Sequence, residues 1–296
     1  MTKLTCLVPA YNEEESLPRL WEKLGPILAR YQDWELIVVN DGSTDKTEQI
    51  VKELSGREPR IKLITFRKNR GKSAVLTAGF KAATGDRVVT LDADLQDDPE
   101  EIPRMLELLD TAPADMVGGW KKDRHDPIIK KISSKVFNWL ANRIMNTDFR
   151  DTNCGLKAYR REVVESLNLY GDLYRFIPIL AVANGFSAIE TPVTHHARQW
   201  GKSKYGLRLS GAFDLVSLMI LTRYRLRPLH FFGSWGVCLF LIGAAMLIYL
   251  AVVHFMGQAI GNRPLLTFGM LFVVAGLQLF FTGLLADLVI NRQSRS

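Results

Sequence analysis

The chain has 296 residues, a formal net charge of +7 and 47% hydrophobic residues, with the apolar surplus concentrated in the C-terminal fifth. Its three cysteines, Cys6, Cys154 and Cys238, have no paired spacing, which argues against a disulfide framework or a zinc site and fits a reducing compartment. The basic excess points to anionic membrane lipids as partners more than to nucleic acid, for which the sequence carries no binding motif. The N-terminus shows no signal peptide, because the apolar stretch from Met1 to Ala10 is short and leads directly into a polar turn.

Five short apolar runs, Leu4–Val8, Glu35–Val39, Ile61–Phe66, Val88–Leu91 and Met116–Gly118, alternate with segments of helical spacing, which predicts a mostly parallel α/β sheet. Polar clusters follow the first four: PAYNEEE, NDGSTD, RKNRGKS and DADLQDD. In an open sheet of this kind such clusters converge at the carboxyl ends of the strands, where ligands gather. After the first run, Pro9 and Tyr11 can wall a flat base while Glu13 accepts from base or ribose. Asp41 is similarly placed after the second. Asn12 and Ser43 are expected to cap the helices that follow them.

The fourth cluster packs aspartates against a strand end, and carboxylates this close repel unless a cation or strong donors lie among them. Asp92 and Asp94 can converge on one hard cation with Gln96 adding a neutral oxygen, a donor set that suits Mg2+ or Mn2+. Asp97 and Asp98 are expected to cap the helix that starts near Pro99. Two phosphate-loop patterns fail: the glycine required five residues before Gly71-Lys72-Ser73 is Phe66, and before Gly201-Lys202-Ser203 it is His196. No GxGxxG follows the first strand. His195 and His196 are adjacent and would point to opposite faces of a strand, which favours structural roles over a shared metal.

Farther on, KKISSKVFNWLANRIMN (130–146) repeats apolar residues every fourth position beside lysines, a pattern for a helix on an anionic surface or against the sheet. The segment 206–228 is also amphipathic, and its basic end precedes Leu229–Phe255 and Leu265–Ile290. Each of these last two segments would reach about 40 Å as a helix, enough to cross a bilayer core of about 30 Å with tilt. Arg223, Arg225 and Arg227 precede the first and Arg292 and Arg295 follow the second, against Arg263 alone between them. The arginine asymmetry places both flanks, and with them the N-terminal α/β domain and both termini, in the cytoplasm of a plasma- or inner-membrane protein.

Taken in order, VPAYNEEESL, VVNDGSTDKT, NRGKSAVLTAG and LDADLQDDPE resemble the family-2 inverting glycosyltransferases with the GT-A fold, a Rossmann-like α/β architecture. DTNCGLKAYRR, then RQWGKSKYG, then a basic segment and two spans, narrow the resemblance to the polyprenyl-phosphate glycosyltransferases. The resemblance implies a catalytic domain over 1–205, a juxtamembrane segment over 206–228 and a transmembrane hairpin over 229–296. It implies a nucleotide-sugar donor, UDP- or GDP-linked, held by Pro9, Tyr11, Glu13, Asp41, Asp92, Ala93 and Asp94, with metal on Asp92, Asp94 and Gln96. Phosphate contacts of the diphosphate and of an undecaprenyl or dolichyl phosphate acceptor fall on Lys121, Lys131, Ser134, Arg198, Ser203 and Lys204. Where the family often carries arginine, Lys121 and Lys131 keep the charge without bidentate geometry.

Asp151 is the family's candidate general base. A phosphate monoester with a second pKa near 6 is already largely dianionic at neutral pH and needs no strong base; Asp151 can instead orient acceptor or sugar, or organise its own turn. A processive polysaccharide synthase is the nearest alternative, although Arg198-Gln199-Trp200 has the wrong order for its Gln-x-x-Arg-Trp motif and only two spans are present. A non-catalytic membrane scaffold that binds nucleotide-sugar is the alternative from another class. The sequence leaves the oligomeric state open, homo-oligomers included.

Overall fold

The computed structural model describes residues 3–121, 142–143, 147–196, 219, 222, 224, 227–261 and 263–293. It divides into two compact units, Met1–Leu218 and Met219–Ser296. The amphipathic segment at 130–146, apart from 142–143, most of 206–228, and Lys131, Ser134, Arg198, Ser203 and Lys204 lie outside the described residues.

The first unit is built on a seven-stranded sheet in the order β3-β2-β1-β4-β6-β5-β7. Its strands are β1 Leu4–Ala10, β2 Trp34–Asn40, β3 Ile61–Thr65, β4 Arg87–Thr90, β5 Met116–Lys121, β6 Lys157–Arg160 and β7 Ala188–Val193. Helices α1 Leu17–Leu28, α2 Thr47–Arg57, α3 Lys72–Ala82 and α4 Ile102–Thr111 connect the first strands, and α5 Arg161–Ser166 and α6 Ile177–Ala183 follow β6. Pairing is parallel from β3 through β4 and between β5 and β7, while β6 runs antiparallel to both its neighbours. All seven residues of β2 are buried, as expected of a strand covered by helices on both faces, where apolar residues run continuously instead of alternating. The five expected strands are all present, and the antiparallel β6, KAYR, together with β7, AIETPV, are additions that apolar patterning did not reveal.

At the end of β2 away from the cleft, buried Glu35 accepts from Thr5 Oγ1, Thr84 N and Thr84 Oγ1 at 2.7 Å each and from Lys62 Nζ at 2.6 Å. Burial by itself raises its pKa, but the donors, Lys62 foremost, outweigh burial and hold the carboxyl at about 2. A carboxyl whose folded pKa is depressed contributes stability above its unfolded pKa and loses it as pH falls through the folded value. Glu35→Gln is therefore expected to destabilise the protein by about 1.5–3 kcal/mol at neutral pH. The deficit should shrink as pH drops from about 4.5 towards about 2, measured as thermal midpoints of the detergent-solubilised chain. A deficit independent of pH would assign Glu35 a packing role only.

In the second unit, α7 Pro228–Phe255 and α8 Pro264–Gln293 form an antiparallel hairpin. Both are long and apolar enough to cross a membrane, and Trp235, Leu241, Ile248, Phe255, Leu271 and Leu285 face outward. The helices touch backbone to backbone where Gly236 meets Gly276: a Cβ on Gly236 would lie 2.7 Å from the Gly276 carbonyl oxygen, so only small residues permit this approach. Asp287 Oδ1 accepts from Leu229 N at 3.3 Å, meeting one of the unpaired amides in the first turn of α7.

Candidate active site

The loops after β1, β2 and β4 meet at one edge of the sheet. There they enclose a cleft of about 280 Å³ whose lining includes Pro9, Tyr11, Glu13, Asp41, Asp92, Ala93 and Asp94. These residues come from three separate stretches of sequence, and the parallel register of β2, β1 and β4 brings their carboxyl ends level. The same cleft is lined by Asn69, Lys72, Asp172 and Tyr174.

The first two loops are locked together by side chain–backbone bonds. Asn12 N donates to Ser43 Oγ at 2.9 Å, Thr44 N to Asn12 Oδ1 at 2.8 Å, Glu13 N to Thr47 Oγ1 at 2.8 Å and Glu14 N to Asp45 Oδ2 at 3.1 Å. Asn12 and Ser43 therefore do not cap helices: α1 begins only at Leu17 and α2 at Thr47. Asn12 adopts a left-handed backbone, φ 52°, a conformation asparagine tolerates better than most residues, and its side chain is spent on the neighbouring loop. Asp41 is buried and accepts from Arg70 N at 2.7 Å and Gly71 N at 3.0 Å. Its carboxylate thus fixes the NRGKS loop, and two oxygens retain further acceptor capacity towards the cleft.

The aspartates after β4 divide among different partners. Lys72 Nζ, from the first turn of α3, donates to Asp92 Oδ1 at 2.5 Å. Asp94 is buried at the cleft wall and its Oδ1 accepts from Gln96 N at 3.2 Å. Gln96 lies outside the cleft lining, with its amide nitrogen 3.5 Å from His195 Nε2. Asp98 accepts from Glu100 N at 3.1 Å and caps the single turn Pro99–Glu101, as expected. Asp97 corrects the expectation: it is not a cap but a buried anion, 3.9 Å from Lys121 Nζ and 3.3 Å from His195 Nδ1. Burial opposes its ionisation, yet Lys121 and His195 hold its pKa well below the usual carboxylate range. Burial lowers the pKa of Lys121, and the facing Asp97 carboxylate more than reverses that.

His195 and His196 diverge, as their adjacency predicts, onto Asp97 and Asp98 respectively. With His196 N donating to Gln96 O at 2.7 Å and Thr194 N to Glu101 Oε1 at 3.0 Å, they lay the segment after β7 along the aspartate loop. The metal-ligand pattern is therefore spread out: among the described residues, no three His, Cys, Asp or Glu side chains converge on one point.

Asp151 is buried, with Asn153 N donating to its Oδ1 at 3.2 Å. Glu190 of β7 accepts from Arg150 N at 2.7 Å and Asp151 N at 2.9 Å, which sets the path of the Asp151–Gly155 turn. Burial raises the Glu190 pKa. The turn passes so close to the aspartates that a Cβ on Gly155 would lie 2.5 Å from Asp92 Oδ2 and 2.8 Å from Asp97 Oδ2. Sequence patterning did not single out Lys72, Lys157, Tyr174 or Glu190 for the site. In the sequence Lys72 belongs to a failed phosphate-loop pattern, Lys157 falls within DTNCGLKAYRR without being distinguished there as a site residue, and Tyr174 and Glu190 lie in stretches without a recognisable signature.

A mostly parallel seven-stranded sheet, with the loops after β1, β2 and β4 lining one cleft, has the architecture of a GT-A glycosyltransferase. The chain belongs to glycosyl transferase family 2, whose model matches residues 5–167. It is 38% identical to dodecaprenyl-phosphate galacturonate synthase of Rhizobium johnstonii, over 97% of this chain and 87% of that protein. It is 35% identical to undecaprenyl-phosphate 4-deoxy-4-formamido-L-arabinose transferase of Klebsiella pneumoniae, over 97% and 88%. Among solved structures, glucosyl-3-phosphoglycerate synthase of Mycobacterium tuberculosis with Mn2+, UDP-glucose and phosphoglyceric acid shares the fold. That match has a TM-score of 0.56 at 20% identity and covers 75% of this chain and 79% of the other.

Proposed function

We propose that the protein transfers one sugar from a nucleotide-sugar to a polyprenyl phosphate at the cytoplasmic face of a membrane, with inversion at the anomeric carbon. The observation that carries this reading is the cleft, whose lining gathers Pro9, Tyr11, Glu13 and Asp41 together with Asp92 and Asp94. Near full-length similarity to two enzymes named for polyprenyl-phosphate sugars supports the acceptor class.

In this reading Tyr11 and Pro9 flank the base, Glu13 and Asp41 accept from base or ribose, and Asp92, Ala93 and Asp94 face the diphosphate. Carboxylate oxygens at the cleft wall, supplemented by diphosphate oxygens, are the hard donors that Mg2+ or Mn2+ prefers. Asp92 and Asp94 would hold such a cation, which would supply neutralisation of the charge on the departing diphosphate. Lys72 adds a fixed positive charge at the same place, in a site where preorganised charge stabilises the transition state. A phosphate oxygen of the acceptor forms the new bond to the anomeric carbon as the bond from that carbon to the diphosphate oxygen breaks, and the nucleoside diphosphate leaves. The acceptor is already ionised, so Asp151 serves to orient it or the sugar within the turn that Glu190 holds.

Residues 1–205 form the catalytic domain in this proposal, 206–228 a juxtamembrane segment on anionic lipid and 229–296 a membrane hairpin. Lys121, Lys131, Ser134, Arg198, Ser203 and Lys204 are assigned to phosphate. The test offers the detergent-purified chain undecaprenyl phosphate and a panel of UDP- and GDP-sugars, including UDP-galacturonate and UDP-4-deoxy-4-formamido-L-arabinose. The expected result is a lipid product carrying a single sugar from one donor. Products of increasing length would favour a processive synthase, and no product with any donor would overturn the reading.

A further inference from the structure

Beneath the cleft lies a second, much smaller cavity that the assignments above leave unused. Its space of about 10 Å³ suits one water-sized group. It shares Pro9, Lys72, Asp92 and Tyr174 with the cleft above and is closed below by Lys157 and Tyr159. Lys157 stands at the start of β6, opposite Thr90 of β4 and Gly118 of β5, and is 4% exposed.

An ammonium has three N–H donors, and among the described residues Lys157 has one hydrogen-bond partner, the Cys154 carbonyl oxygen. Burial lowers its pKa, and the nearby Asp151 and Asp92 carboxylates partly offset this. A buried cation with donors to spare, bordering a cavity one oxygen wide, is costly to the fold unless an oxygen enters. The space is too small for a phosphate group, and the Asp92 carboxylate in its wall repels an anionic oxygen. A hydroxyl suits both, because it accepts from Lys157 and donates to Asp92.

Resting on the reading of the cleft given under Proposed function, we infer that this cavity is a specificity subsite for the donor sugar: it takes one hydroxyl of the transferred sugar, and Lys157 is the residue that binds it. A sugar with a hydrogen or a bulkier substituent at that position is disfavoured, because the first leaves Lys157 unsatisfied and the second does not fit.

The test is a cycle of substrate and protein changes on the full-length chain in detergent, using the donor found in the panel and each of its monodeoxy versions. In the wild type, one monodeoxy donor is expected to lose about tenfold in kcat/KM, the scale of one hydrogen bond. Lys157→Met should lose a similar factor with the parent donor and nothing further with that same analogue, since the two changes remove one contact. Binding of the free nucleoside diphosphate, measured by calorimetry, should be unchanged in the variant. Additive losses at every position would overturn the inference and leave a structural lysine. A wild-type series that is flat within about twofold would do the same without relying on any variant, leaving water as the occupant. Failure of every donor to yield product would take down the functional reading and this subsite together, whereas the outcomes above bear on the subsite alone.

Discussion

Asp94→Ala is expected to lower turnover on the order of a thousandfold while leaving the fold intact, because the variant removes the carboxylate proposed to hold the cation at the departing diphosphate. Asp94 sits at the cleft wall at the end of a short loop, and the main sheet hydrogen bonds do not involve it. Circular dichroism and thermal midpoints should therefore match the wild type. Wild-type turnover should vanish in chelator and return with Mg2+ or Mn2+. Activity that survives both the substitution and the chelator would remove the cation from the mechanism and leave Lys72 as the principal counter-charge.

Gly155→Ala should be nearly as damaging, by a different route. Its Cβ would fall 2.5 Å from Asp92 Oδ2, 2.6 Å from Asp92 Cγ and 2.8 Å from Asp97 Oδ2. The surroundings are unyielding, since Asp92 is held by Lys72 and Asp97 is buried against Lys121 and His195. Overpacking of this kind costs about 1–3 kcal/mol of stability, and displacement of a positioning group by about 1 Å can cost on the order of a hundredfold in rate. Gly118→Ala is the control, because a Cβ there meets only Ile189 O at 3.8 Å. Steady-state kinetics and thermal midpoints of the two variants give the comparison. Unimpaired turnover in Gly155→Ala would mean that the turn relaxes away from Asp92, and that its closeness is not needed for catalysis.

Much of the molecule follows from local chemistry. Short apolar runs broken by helical spacing specify a largely parallel sheet, and polar residues placed directly after such runs must appear at one edge. For that reason Pro9, Tyr11, Glu13, Asp41, Asp92 and Asp94 were legible as a set, and the cleft contains them all. The two apolar helices were legible for an equally local reason, since a run of that length almost without charge satisfies every backbone group only as a helix.

What the sequence could not decide was how nearby charges divide their partners. Asp92, Asp94, Asp97 and Asp98 look alike along the chain, but the fold gives the first to Lys72, the third to Lys121 and His195 and the last to a helix cap. Those partners come from residues 72, 121 and 195, remote in sequence, and a carboxylate's role depends on which cation or donor the tertiary structure brings within a few ångströms. Asn12 and Ser43 fit helix caps by the same local logic and instead join two loops, because the register of β1 and β2 sets those loops side by side. Lys157 is the extreme case: it sits within DTNCGLKAYRR, but local patterning does not separate it from a surface lysine, and only the closing of β6 between β4 and β5 buries it beside the cleft.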